Sequence, residues 1–312
     1  MRKAQKKQAE EFIGLLKEVH GAIIEAVDNN QKDTAMDLLS QCQDGALKLG
    51  ELIESAEGEG GKTISLLEDY CELVYQIYVE IGQGQEVYAE QAAERLGKAL
   101  AHIEDSICTD IKVRMEIVFL PYKASMWDSL ESVWKAAQED ENADAYVIPI
   151  PYFDKNPDGS FREMHYEGNE YPAYVPIMKY DEYDFESRRP DVIYIHNPYD
   201  GCNFVTSVHP FFYSGNLKKF TDRLVYIPYF ILDEVDPRNQ EAVKDIEHFC
   251  AVPGVFNADK VIVQSEDMRQ IYINVLSNKA GENSRSIWEK KILGIGSPKI
   301  DKVLNARKED YL

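Results

Sequence analysis

The chain has 312 residues, 44% apolar and 29% charged, which are the proportions of a globular protein long enough for two folding units. A formal charge of −21 sets most of the surface against polyanions, so nucleic acid is not an expected partner. The five cysteines, Cys42, Cys71, Cys108, Cys202 and Cys250, are odd in number and widely spaced, which argues against a disulfide framework or a zinc site and for a reducing, cytoplasmic compartment.

The basic start, Arg2, Lys3, Lys6 and Lys7, leads into Phe12–Leu16, an apolar run interrupted by Gly14 and closed by Lys17, so no secretory signal is expected. Those four cations give an expected peripheral contact with anionic lipid at the inner face of the membrane, weakened by Glu10 and Glu11. No stretch of about 18 apolar residues spans a bilayer.

Up to Cys108 the sequence lacks proline, and apolar residues recur at intervals of three and four. The first such segment carries Phe12, Leu16, Val19, Ile23 and Val27; the second carries Leu38, Leu39, Cys42, Ala46, Leu49 and Ile53 and ends at the Gly58-Glu59-Gly60-Gly61 break. A third runs through Ile64, Leu67, Cys71, Val74, Tyr78 and Ile81, and a fourth through Tyr88, Ala92, Leu96, Leu100, Ile103 and Ile107. Four single stripes joined by short breaks bury one another by stacking antiparallel, which predicts a helical bundle over residues 1–110. No pair of Glu-x-x-His motifs is present and His20 and His102 are isolated, so packing or homo-oligomer formation is the expected role of the bundle rather than metal binding.

Residues 111–312 change period. Val113–Leu120 is a predicted strand and Met126–Glu139 a helix; further strands are predicted at Ala145–Pro149, Asp191–Ile195, Leu224–Ile227, Lys260–Val263 and Lys291–Ile295, with a helix at Glu266–Leu276. Near-continuous apolar strands alternating with helices predict a Rossmann-like α/β domain with a mainly parallel sheet, where ligands bind beyond the carboxyl ends of the strands.

Neither a G-x-G-x-x-G fingerprint nor a G-x-x-x-x-G-K-[ST] loop occurs, so no nucleotide cofactor is expected and no P-loop NTPase activity. Strand ends instead offer Lys123 and Ser125, then His196, Asn197 and Asp200, then Tyr229, Ser265, Ser297 and Lys299 as candidate ligand-binding residues. His196 directly follows an apolar strand and His209 a loop beyond it; both are candidate general bases, with Asp200 available to orient either ring, and a hydrogen-bonded loop histidine is the alternative for each. The segment Asp154–Phe185, with the turn Asn156-Pro157-Asp158-Gly159 and five tyrosines, either walls a polar ligand or forms a surface hairpin flap. A basic stretch, Arg285, Lys290, Lys291, Lys299, Lys302, Arg307 and Lys308, is either a local anion site or a solvated face.

The order of elements, ending in Gly296-Ser297-Pro298-Lys299-Ile300-Asp301, resembles the CDP-glycerol glycerophosphotransferase family of teichoic-acid-type polymerases over about residues 112–305. The resemblance implies the acceptor-side half of a GT-B-type transferase, moving glycerophosphate or a sugar from a nucleotide-linked donor to a polyol-phosphate or glycan acceptor of the cell wall or surface. It also implies that a second, donor-binding domain lies outside this sequence and that the chain alone is inactive. The family carries a Trp-His-Gly motif where this chain has Pro228-Tyr229-Phe230, so His196 or His209 would have to replace its histidine. A non-catalytic ligand-binding or scaffold protein with an assembly-mediating bundle is the rival expectation.

Overall fold

The computed structural model describes residues 1–85 and 87–306 and divides into two compact units, Met1–Arg114 and Met115–Leu312. Unit one is a four-helix bundle: α1 (Lys3–Asp28), α2 (Lys32–Glu57), α3 (Lys62–Gly82) and α4 (Ala89–Thr109). Each helix packs on its sequence neighbour and α1 packs on α4, closing the ring. Of the stripes read from the sequence, Leu16, Ile23, Leu39, Leu49, Leu67, Leu96 and Leu100 are buried in one core, which Ile13 and Ile77 join, each contributing about 1.5–3 kcal/mol of burial; Phe12, Val19, Val27 and Cys71 are half-buried, and Tyr78 and Tyr88 are exposed. α2 stops at Gly58, whose φ of +88° is open only to glycine at little cost.

Polar side chains are buried in the bundle too, His20, Thr63 and Ser106 among them. His20 Nε2 lies 2.7 Å from the Tyr70 hydroxyl, with the rings stacked at 5.8 Å, and burial lowers the imidazole pKa to about 4. At one end of the bundle Thr63, Ser106, Asp110 and Lys62 form a chain of contacts of 2.8–2.9 Å that ties the start of α3 to the end of α4. Among the cations expected to contact lipid, Lys6 donates to the carbonyls of Cys108 and Ile111 and Lys7 pairs with Glu11. No helix among the described residues is long and apolar enough to cross a membrane.

Unit two contains β1 (Met115–Leu120), a 3₁₀ turn (Ala124–Ser129), α5 (Glu131–Glu139), β2 (Ala143–Val147), β3 (Tyr152–Lys155), β4 (Phe161–His165) and α6 (Phe185–Arg188). Then follow β5 (Val192–Ile195), β6 (Thr206–Val208), α7 (Ser214–Leu217), β7 (Arg223–Tyr226), α8 (Gln240–Cys250) and α9 (Pro253–Asn257). The chain continues through β8 (Lys260–Val263), α10 (Glu266–Ala280), α11 (Arg285–Lys291), β9 (Ile292–Gly294) and α12 (Pro298–Leu304). Six strands form one parallel sheet in the order β2-β1-β5-β7-β8-β9, with Val118 opposite both Tyr146 and Ile193. Apolar cores cover both faces, one around Leu120, Ile193, Leu224 and Ile271, the other around Phe119, Trp127, Trp134 and Val147.

The sequence predicts one helix from Met126 to Glu139; the structure starts it as a 3₁₀ turn and begins α5 only at Glu131. The hairpin expected as one alternative at Asn156–Gly159 is present as β3–β4, and with β6 it forms a second, antiparallel sheet in the order β4-β3-β6, whose third strand the sequence reading lacked. This sheet grows from the hairpin turned by Asn156–Gly159, where Gly159 has a φ of +85°.

Candidate functional site

The connection from β1 to β2 runs to one side of β1, and the next parallel strand, β5, lies on its other side. The winding therefore reverses between β1 and β5, and at such a switch point an open α/β sheet places its ligand crevice beyond the carboxyl ends of the strands. Three segments meet there through contacts of Tyr122 with His196 and of Lys123 with Tyr152: Pro121–Ser125 after β1, the β3–β4 hairpin after β2, and His196–Asp200 after β5.

Lys123 sets the crevice's character. Its ammonium lies 4.9 Å from the centroid of the Tyr152 ring and 5.6 Å from that of Tyr122, a cation held against two aromatic rings. Among the described residues no carboxylate pairs with it, although the chain carries 55 acidic residues. Tyr152 donates to Glu167 Oε1 at 2.7 Å, and the other Glu167 oxygen accepts the Ala124 amide at 2.8 Å, so this carboxylate joins the two loops. Burial, followed by Glu167, pushes the Tyr152 phenol well above its usual pKa and keeps it a donor. Beside it, His165 Nε2 lies 3.0 Å from Asp154 Oδ2, and the imidazole stacks on Tyr152 at 5.1 Å. Ser125, exposed in the 3₁₀ turn, has no hydrogen-bond partner among the described residues.

His196 is in the crevice's floor rather than its lumen, which corrects its reading as a base. The ring is fully buried; Nε2 accepts the Tyr122 amide at 2.9 Å, and Nδ1 is 2.8 Å from Ser129 Oγ, whose own proton goes to the Met126 carbonyl. The accepted amide fixes the Nδ1–H tautomer, and neither nitrogen is left for a substrate. Burial first, and the Lys299 charge after it, lower its pKa to about 3. Tyr122 and Tyr229 pack edge-on against the ring at 5.4 and 5.8 Å, so Tyr229 helps to seal it.

The other candidates are mostly turn and cap residues. His209 opens a 3₁₀ turn, its Nδ1 accepting the Phe211 amide at 3.2 Å, on the antiparallel sheet. Asp200 orients neither histidine: at a φ of +49° it accepts from the Ser214 amide and hydroxyl at 2.9 and 2.7 Å. Asn197 accepts the Tyr199 amide. Ser265 caps α10 through the Met268 amide and donates to Glu234, and Ser297 caps α12.

The stretch Gly296–Asp301 forms a clasp. Gly296 takes a φ of +115°, Pro298 sits in the first turn of α12, Lys299 pairs with Asp128 at 2.6 Å, and Asp301 accepts from Ser132 at 2.7 Å. These contacts return the chain from β9 to α5. Gly294 before it approaches α10 so closely that a Cβ would lie 2.3 Å from the Ser265 carbonyl oxygen. Most of the basic stretch is likewise engaged: Arg285 pairs with Glu282, Lys291 donates to the carbonyls of Val255 and Phe256, and Lys302 pairs with Glu131. Arg307 and Lys308 lie outside the described residues. A separate open cleft of about 650 Å³, between Glu131, Lys135, Tyr174, Asp301 and Lys302, has cations already matched with carboxylates.

Of the sequence candidates, the structure gathers Lys123, Tyr229 and His196 around the crevice, and leaves His209, Ser265 and Ser297 elsewhere. His165, Asp154, Tyr152 and Glu167 were missed. The signal available was the Asn-Pro-Asp-Gly turn, which sets the hairpin register that pairs Tyr152 with His165. No group of three or more His, Cys, Asp or Glu among the described residues could hold a metal ion. Compared with known proteins, the chain matches no family model, no curated protein and no solved structure.

Proposed function

We propose that unit two is the acceptor-side domain of a GT-B-type transferase, which holds a polyol-phosphate or glycan acceptor while a nucleotide-linked donor is presented by a second domain, in cis or on a partner. The observation that carries this reading is the unpaired Lys123 ammonium at the β1–β5 switch point, set between two tyrosine rings in a strongly acidic chain. A phosphate monoester satisfies that cation, and the tyrosine faces and hydroxyls suit a polyol or sugar. The Gly296–Asp301 clasp supports the same reading, because it is the stretch that resembles the glycerophosphotransferases and its contacts with Asp128 and Ser132 tie the end of the chain to α5 and the turn before it.

A rival reading, a ligand-binding module without catalysis, draws on one specific observation. At the position of the family's histidine this chain has Tyr229, packed against Tyr122 and His196. The two separate in one assay: release of CMP from CDP-glycerol, with a donor-binding domain supplied and a polyol-phosphate acceptor present. The transferase reading expects acceptor-dependent release that falls on the order of 10²-fold in Lys123→Ala, through loss of acceptor positioning. Acceptor binding without any CMP release would leave the binding module.

A further inference from the structure

Resting on the transferase reading, we infer that His165, oriented by Asp154, is the base that deprotonates the acceptor hydroxyl. The reaction needs such a group. For an acceptor hydroxyl to attack the donor's β-phosphorus, its proton must leave as the new O–P bond forms, while the P–O bond to CMP breaks and CMP departs with that electron pair.

Six histidines are present, and geometry separates them. His196 has both nitrogens engaged and no exposed surface. His20 is buried against Tyr70 in the bundle, and His102 lies on α4 of the same unit. His209 spends Nδ1 on the Phe211 amide, and His248 lies tilted against Phe249, ring centroids 3.9 Å apart, near the end of α8.

His165 differs in three respects. Its Nε2 faces Asp154 Oδ2 at 3.0 Å, and an ionised carboxylate can only accept, so the ring proton sits on Nε2 and the Nδ1 lone pair is left available. No hydrogen-bond partner occupies Nδ1 among the described residues, and about a third of the side chain (32%) is exposed, enough for a substrate to reach it. Lastly, it stacks on Tyr152, the ring that also carries Lys123. A phosphate on the lysine and a hydroxyl on the imidazole therefore flank one aromatic platform. The position on a paired strand holds the ring on a supported element; Tyr152 and His165 are partners in the β3–β4 register.

Reactivity toward diethyl pyrocarbonate, read histidine by histidine by peptide mass spectrometry, tests the dyad in the full chain without any donor or turnover. His165 is expected to react while His196 does not. Asp154→Asn should slow the His165 reaction on the order of tenfold, because the amide no longer enforces the tautomer, and leave His102 unchanged. Glycerol 3-phosphate should protect His165. Equal reactivity of His165 with and without the Asp154 carboxylate would overturn the assignment, and so would reaction unaffected by saturating glycerol 3-phosphate. In the CMP-release assay His165→Gln should lower kcat by about 10²- to 10⁴-fold with little change in KM. An unchanged kcat contradicts the proposal, whereas a wild-type protein that releases no CMP overturns the transferase reading and leaves the reactivity result to decide the dyad.

Discussion

Replacing His196 with alanine is expected to lower the stability of unit two by about 3–5 kcal/mol, because a fully buried ring is lost and the Tyr122 amide is left without its acceptor. That is a large part of the roughly 5–15 kcal/mol that holds an ordinary domain folded. The same residue makes the unit acid-labile. The unfolded ring takes a proton below its ordinary pKa of 6.5, while the folded ring does so only near 3, so protons bind the unfolded chain preferentially between these values. Stability from this group is full above pH 6.5 and falls as the pH drops toward 3, by about 5 kcal/mol in all. Urea unfolding between pH 7 and 4 should show a steep loss in wild type and a shallower one in His196→Gln, which cannot titrate. Wild-type stability in the alanine variant, together with lost acceptor binding, would return His196 to a functional role.

The second large effect lies at the amino end of the sheet. Glu116 on β1 is 2% exposed and receives two hydrogen bonds, at 2.8 and 3.0 Å, from Arg188, whose guanidinium is 4.8 Å from the ring centroids of both Tyr146 and Tyr183. Tyr183 also donates to this carboxylate. Arg188→Ala removes the guanidinium from a buried charge and should cost about 3–5 kcal/mol, whereas the double variant Glu116→Met, Arg188→Met should recover most of the loss. Chemical denaturation of the three proteins checks this. A single variant within about 0.5 kcal/mol of wild type would show the pair to be no more than a surface contact. Acceptor binding, at the opposite end of β1, should be the same in every variant that folds.

Much of the fold was legible because its elements carry strong periodicity. The aliphatic positions of the four bundle stripes are mostly buried as the spacing demands, although Tyr78 and Tyr88 near helix ends are exposed, and Lys260–Val263 is a strand in both readings. Elements with weak periodicity were not legible: β6 has three residues, and β3 follows directly on Pro149 and Pro151. The site was half legible. Lys123 follows from topology alone, since any residue just past β1 borders the switch point. His196 illustrates the limit, because its placement after an apolar strand suits a base and a floor residue equally. The distinction depends on Tyr122 and Ser129, which are 74 and 67 residues away and carry no local signal. The dyad of Asp154 and His165 was hidden similarly, since a bulged hairpin joins residues 11 apart only once its register is known.

The claim that the β1–β5 crevice is the acceptor site is tested most directly by amide and histidine chemical shifts of the labelled chain during titration with glycerol 3-phosphate. The account predicts saturable shifts at Lys123, Ser125 and His165, smaller ones relayed to Tyr122 and Tyr152, and loss of the response in Lys123→Ala. Shifts confined to the cleft of Glu131, Lys135 and Lys302, to the bundle, or to the start of α10 at Ser265 would contradict it.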